Sequence, residues 1–99
     1  MTTFLVERYW PGIDVTTLRG LLPRLEAMAR AMTADGTPVE HLGSILMPVD
    51  EVVFSLFAAS DEALVRDLNA RAALPVDRIA EAISLMASTA PDPSGGSSS

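Results

Sequence analysis

Few residues of this chain could do chemistry. His41 is the single histidine, and an imidazole, with an ordinary pKa near 6.5, can carry a proton or ligate a metal at neutral pH. It can equally be a structural ring at the edge of a cleft or interface, since one histidine without a reachable partner has little catalytic power. Glu7 follows an apolar triplet. If its carboxyl points into an apolar cavity, its pKa rises, as general bases often require. The plainer reading is a salt bridge at the strand end with Arg66 or Arg78. Ser44 and Ser55 could donate hydrogen bonds from a cavity wall. Neither sits in a nucleophile elbow or beside a base visible in the sequence, which speaks against serine catalysis. Tyr9 and Trp10 could stack on a ligand or close a sheet edge. Met28, Met32, Met47 and Met86 read as gap-fillers of a core, with a thioether metal or cofactor site as the remote alternative. No residue is assigned a catalytic role on this basis. Glu7 and His41 are the candidate acid and base, a ligand cavity would draw on Glu7, Tyr9, His41, Ser44 and Ser55, and a metal would have His41 alone.

Composition narrows the classes. The chain has 99 residues, 48% hydrophobic and 20% charged, with seven basic groups against thirteen acidic ones. That describes one globular domain. Every basic residue is an arginine, and the seven are scattered, whereas a phosphate-tracking surface needs clustered cations. Nucleic acid is not expected as a partner. The absence of cysteine removes disulfides, thiolate metal sites and thiol nucleophiles. No phosphate loop or dinucleotide fingerprint occurs. No apolar run approaches the roughly 18–20 residues of a membrane helix. Glu7 and Arg8 break the short apolar N-terminal patch, unlike a secretory signal. The expectation is a soluble cytoplasmic protein without membrane contact.

The elements that must position these groups are legible. Val52-Val53-Phe54-Ser55-Leu56-Phe57-Ala58 is apolar at both parities, and a strand of that kind is buried on both faces. It is a central strand. Thr2 to Trp10 makes a first strand, with Phe4, Val6, Arg8 and Trp10 on one face and Leu5, Glu7 and Tyr9 on the other, stopped by Pro11-Gly12. Asp14 caps a helix running to about Ala34, whose stripe is Leu18, Leu21, Leu22, Leu25, Met28, Ala29 and Met32. Pro23 either kinks that helix or starts a second one. Asp35-Gly36 closes it. Val39 to Met47 is a second strand in which Gly43 marks a bulge or a close approach, and residues 48–51 form a hairpin connection. Ser60 starts a second helix as its capping hydroxyl, followed by Asp61 and Glu62. Its stripe is Leu64, Val65, Leu68 and Ala72, and Ala73-Leu74-Pro75 ends it. Residues 76–86 fit either helix or strand locally. The order β-α-β-β-α selects a strand, which completes an α+β, ferredoxin-like βαββαβ sandwich: a four-stranded antiparallel sheet with two helices on one face. The domain is 1–86, and 87–99 form a polar, flexible tail.

That architecture leaves one sheet face open. The central strand offers Val53 and Phe57 at one parity and Val52, Phe54 and Leu56 at the other. The second strand places Val39, Ile45 and Met47 opposite Leu42 and Leu46. Whichever set meets the helices, several large apolar groups remain outside. At about 25 cal/mol per Å², covering four or five of them is worth several kcal/mol. The simplest cover is a second copy around a two-fold axis, giving a homodimer through the open sheet face.

Three stretches carry a resemblance: FLVERYWPG at the start, HLGSILMPVDEVVFSLFAA through the hairpin, and SDEALVRDLNARAALPVDRIAEAI with its L-P-x-D-R-I ending. In these residues the chain resembles the small dimeric ferredoxin-like domains known as nickel-binding proteins, from about Phe4 to Leu85. The resemblance implies a βαββαβ fold and a dimeric α/β sandwich. The metal ligands it implies, two histidines and a cysteine, fall near Gly43, Leu68 and Ser55, while His41 lies two positions earlier. Nickel wants several imidazole or thiolate donors, so tight nickel binding is disfavoured and no cofactor is expected. The helix-ending glycine of the relatives is Ala73 here. Three functions follow: a small dimeric binding protein with a ligand or weak metal beside an inter-sheet cavity, a cofactor-free dimeric α/β-barrel enzyme using Glu7 and His41 on a small hydrophobic substrate, or a subunit docking another protein.

Overall fold

The computed structural model describes residues 1–85; Met86 and the tail expected at 87–99 lie outside the described residues. The chain runs β1 (Thr2–Tyr9), α1 (Val15–Ala34), β2 (Val39–Met47), β3 (Val52–Ala59), α2 (Glu62–Arg71) and β4 (Arg78–Ala82). The strands form one antiparallel sheet in the order β2-β3-β1-β4. This is the ferredoxin-like βαββαβ fold. β3 and β1 are central, as the two-sided apolar pattern of β3 requires, and β2 and β4 are edges. The ambiguous 76–86 stretch is a strand over Arg78–Ala82, paired with residues 3–7 of β1. Ile83 and Leu85 follow it and are exposed.

The core lies between the helices and one sheet face. Phe4 and Val6 of β1 and Phe57 and Ala59 of β3 meet Leu25, Ala29 and Met32 of α1 and Val65 and Leu68 of α2. A smaller cluster of Ile13, Leu18 and Val53 gathers Trp10 against it. α1 is one helix with Pro23 inside it. Leu18 and Leu25, on either side of the proline, are both buried, so tertiary packing on both flanks offsets the lost backbone bond. Asp14 caps α1 by accepting from Thr17 N at 2.7 Å, and that bond holds its carboxyl below the ordinary aspartate pKa.

Both helices end in the same six-residue motif, in which the second residue past the cap bonds back to the last full turn. At α1, Thr37 N donates to Met32 O at 3.0 Å and Gly36 has φ +90°. At α2, Leu74 N donates to Asn69 O at 3.0 Å, and the left-handed residue is Ala73 at φ +55°. α2 begins differently from expectation. Its cap is Asp61, whose carboxylate accepts from Leu64 N at 3.2 Å, and Ser60 stands one position outside. Two further expectations change. Met47 is 41% exposed on the open face rather than in the core, and Val39 does not share a face with Ile45 and Met47, because a bulge intervenes between His41 and Gly43.

Candidate functional site

The bulge builds the site. In a regular strand His41 and Ser44, of opposite parity, would point to opposite faces. Here one extra residue, Leu42, has no partner in the register, so His41 opposes Phe57 and Ser44 opposes Ser55. An extra residue resets the alternation, and both side chains turn toward the helices. Gly43, at φ +159°, is essentially extended.

A hydrogen-bonded chain results. Glu26 Oε2 of α1 lies 3.3 Å from His41 Nδ1, His41 Nε2 lies 2.8 Å from Ser44 Oγ, and Ser44 Oγ lies 2.7 Å from Ser55 Oγ. Its polarity follows from the donors available. An ionised carboxylate only accepts, so Nδ1 carries the proton; in a neutral ring Nε2 then accepts from Ser44, and Ser44 accepts from Ser55. Protonating the ring reverses the direction beyond it. The imidazole also packs on Phe57, with ring centroids 5.3 Å apart, and its side chain is only 3% exposed against 49% for Glu26.

Outside the imidazole lies a groove of about 520 Å³ between α1 and β2, lined by Glu26, Arg30, Thr33, Glu40 and His41 with Ala29, Ala34 and Val39. Thr33 Oγ1 donates to Val39 O at 3.2 Å and accepts from Val39 N at 3.3 Å, tying the end of α1 to the start of β2. Ser44 and Ser55 do not line the groove, and Ser55 is 1% exposed. The serines thus orient the histidine and offer no nucleophile to a groove ligand. The arrangement is suited to binding.

The five residues expected around one cavity are divided by the sheet. His41, Ser44 and Ser55 face the helices, whereas Glu7 and Tyr9 share the open face with Leu5, as their pairing opposite Phe54 and Val52 requires. Glu7 and His41 therefore cannot serve as acid and base for one substrate within a subunit. Glu7 pairs with Arg78 across β1 and β4 at 3.6 Å, and Tyr9 is 58% exposed. Ile45, Leu42 and Met47 are exposed on β2, beside half-buried Leu5, Phe54 and Leu56. A smaller hollow of about 370 Å³ at the far end of this face is lined by Thr3, Leu5, Leu56, Ala82, Ile83 and Leu85, with Ser84.

The donor set does not fit nickel. Gly43 has no side chain, Leu68 is wholly buried in the core, and the Ser55 hydroxyl is engaged with Ser44. His41 and Glu26 stand at hydrogen-bond distance from each other. Among the described residues no three histidine, cysteine, aspartate or glutamate side chains gather as ligands.

Sequence reasoning missed Glu26, whose link to His41 depends on how α1 crosses β2. It also placed Arg8 on the face of Phe4 and Val6 without drawing the consequence. Arg8 is 2% exposed, its Nη1 donates to Pro75 O at 2.8 Å, and Nη2 has no partner among the described residues. Desolvation lowers its pKa to about 10. Asn69, also fully buried, donates to Val65 O at 2.7 Å and leaves Oδ1 without a partner among the described residues.

No described helix is long and apolar enough to cross a membrane. No protein-family model and no curated protein matches the chain. Among solved structures, that of SCO4226 from Streptomyces coelicolor A3(2) is similar, with a TM-score of 0.64 and 21% identity over 86% of this chain and 99% of that one. At that identity the shared property is the fold.

Proposed function

We propose that this chain is a small, cytoplasmic binding protein that takes an organic ligand in the groove between α1 and β2 and works as a homodimer through its open sheet face. The observation that carries the binding reading is the ligand-sized groove with one wall fixed from behind: His41, held by Glu26, Ser44 and Ser55. Ligand sites are concave, mostly apolar clefts of about 300–1,000 Å³ with a few well-held polar groups. A preorganised wall loses little side-chain entropy on binding. Amide-correlation NMR with a set of small neutral fragments tests the reading. Shifts gathered at Glu26, Arg30, Thr33, Val39 and His41 support it; fragments that leave these signals still, or gather on the opposite face, refute it.

The dimer rests on the row of apolar groups that the helices leave uncovered, among them Ile45 at 59% and Leu42 at 49% exposure. Contiguous apolar patches rimmed by charge mark interfaces. A two-fold axis lets the same patch serve as its own partner. Light scattering on the full chain is expected to give twice the monomer mass, and Ile45→Lys the monomer mass. A wild-type chain that is monomeric at high concentration ends this part of the proposal.

A further inference from the structure

We infer that the α1–β2 groove is built for a zwitterion, an α-amino acid with an aliphatic or aromatic side chain. This rests on the binding reading above and adds the class of ligand.

The argument is an account of which polar groups on the groove are already used. Both nitrogens of His41 are engaged, with Glu26 and Ser44. The Thr33 hydroxyl is occupied by the Val39 backbone. Two groups keep capacity for a ligand. Glu26 has engaged only Oε2, and the Arg30 side chain makes no hydrogen bond or ion pair among the described residues; Glu40, next to His41 on β2, alternates to the other side of the strand. Glu26 and Arg30 are four apart on one helix, the spacing at which acid and base ordinarily pair. Here the carboxylate is directed to His41 instead. Arg30 is left without its counter-ion about 6 Å farther along the same helix.

The groove therefore offers one carboxylate with a free oxygen and one free guanidinium, with Ala29, Ala34 and Val39 as the apolar part of its lining. A simple anion would meet the Glu26 carboxylate, and a simple cation would leave Arg30 unmatched. A molecule with both signs satisfies the set: its ammonium on Glu26 Oε1, its carboxylate on the planar fork of Arg30, and its side chain against the alanines and valine. A protonated α-amine and a carboxylate on one carbon, with an apolar substituent, meet all three demands.

Calorimetry on the full chain tests this with L-leucine and L-phenylalanine, their N-acetyl derivatives, which lack the cation, and their amides, which lack the anion. The free amino acids are expected to bind, with each derivative weaker by about tenfold or more, the loss of one charge-assisted bond. In Glu26→Gln the N-acetyl derivative should bind as well as the free amino acid, and in Arg30→Gln the amide should. Glu26 is half exposed, so the first substitution leaves the core untouched, and matching melting curves check both variants. Derivatives that bind as tightly as the free amino acids overturn the zwitterion assignment and leave the groove as a site for neutral ligands. If no amino acid or derivative binds while neutral fragments still shift the groove signals, the assignment is again lost and the binding reading stands. If neither experiment shows occupancy, both are lost.

Discussion

Ala73→Gly should stabilise this protein, and the size of the effect can be worked from the backbone. Ala73 sits one residue past the α2 cap at φ +55°. The six-residue motif around it is formed: Ala73 N donates to Ala70 O, and Leu74 N to Asn69 O, each at 3.0 Å. In that conformation a Cβ crowds the following carbonyl at a cost of about 1–2 kcal/mol. Glycine removes the crowding but adds freedom to the unfolded chain, which costs about 0.5–1 kcal/mol. The net gain is about 0.5–1 kcal/mol, or roughly 3–6 °C in melting temperature for a domain of this size. The mirror experiment is Gly36→Ala at the end of α1. A Cβ there would meet nothing within 4 Å, so any loss reports the φ of +90° alone. It should destabilise by about 1 kcal/mol or somewhat more. Circular-dichroism melts and urea titrations of both variants, at one fixed protein concentration because dimerisation would shift the midpoint, read the pair. A melting temperature for Ala73→Gly equal to or below wild type would refute the reasoning. So would a Gly36→Ala variant that loses nothing.

Two other consequences concern charge. The drop of the Arg8 pKa from the ordinary arginine value to about 10 corresponds to a burial cost of about 3 kcal/mol. A depressed base makes that cost whole at every pH below about 10, relieved only as the solution becomes more alkaline. The bond to the Pro75 carbonyl offsets about 2 kcal/mol of it. Arg8→Met, measured by urea unfolding at neutral pH, should therefore raise stability by about 1 kcal/mol, and a loss of more than about 2 kcal/mol would mean the guanidinium is better paired than the described residues show. Asp14, whose carboxyl is held low by the Thr17 backbone bond, contributes stability above the unfolded-state aspartate pKa, and that contribution is lost as pH falls through the lower folded value. Asp14→Ala should melt lower than wild type at neutral pH and converge with it in strong acid, and parallel melting-temperature curves down to that pH would contradict the capping account.

Much of the architecture was written locally. The two-sided apolar run of β3, the alternation Phe4-Val6-Arg8 against Leu5-Glu7-Tyr9, and the three-and-four spacing of Leu18, Leu25, Ala29 and Met32 are direct consequences of strand and helix periods. They place three strands, two helices and an apolar face that the helices cannot cover; the fourth strand, ambiguous by its own pattern, follows from the order of the other five elements. Asp14 as cap and Gly36 as left-handed terminator were equally visible, because capping depends on a few adjacent residues; that Ala73 stands where a glycine is usual came only from the resemblance. Where a local choice lay between neighbours, as with Ser60 and Asp61, only the backbone geometry decided it.

The site was different in kind. His41, Ser44 and Ser55 could be named as polar groups on strands, but a period of two assigns His41 and Ser44 to opposite faces. The single unpaired residue at Leu42 reverses that assignment, and nothing in the sequence beyond Gly43 hinted where the register would slip. Glu26 reaches His41 only because α1 crosses the edge strand at that level, a matter of long-range packing. The separation of Glu7 from His41 by the thickness of the sheet has the same origin. Periodicity is a property of neighbours along the chain, so the sequence by itself determined the elements and their greasy faces. Which side chains share a groove depends on register and on helix placement, and those were decided only when the layers closed on one another.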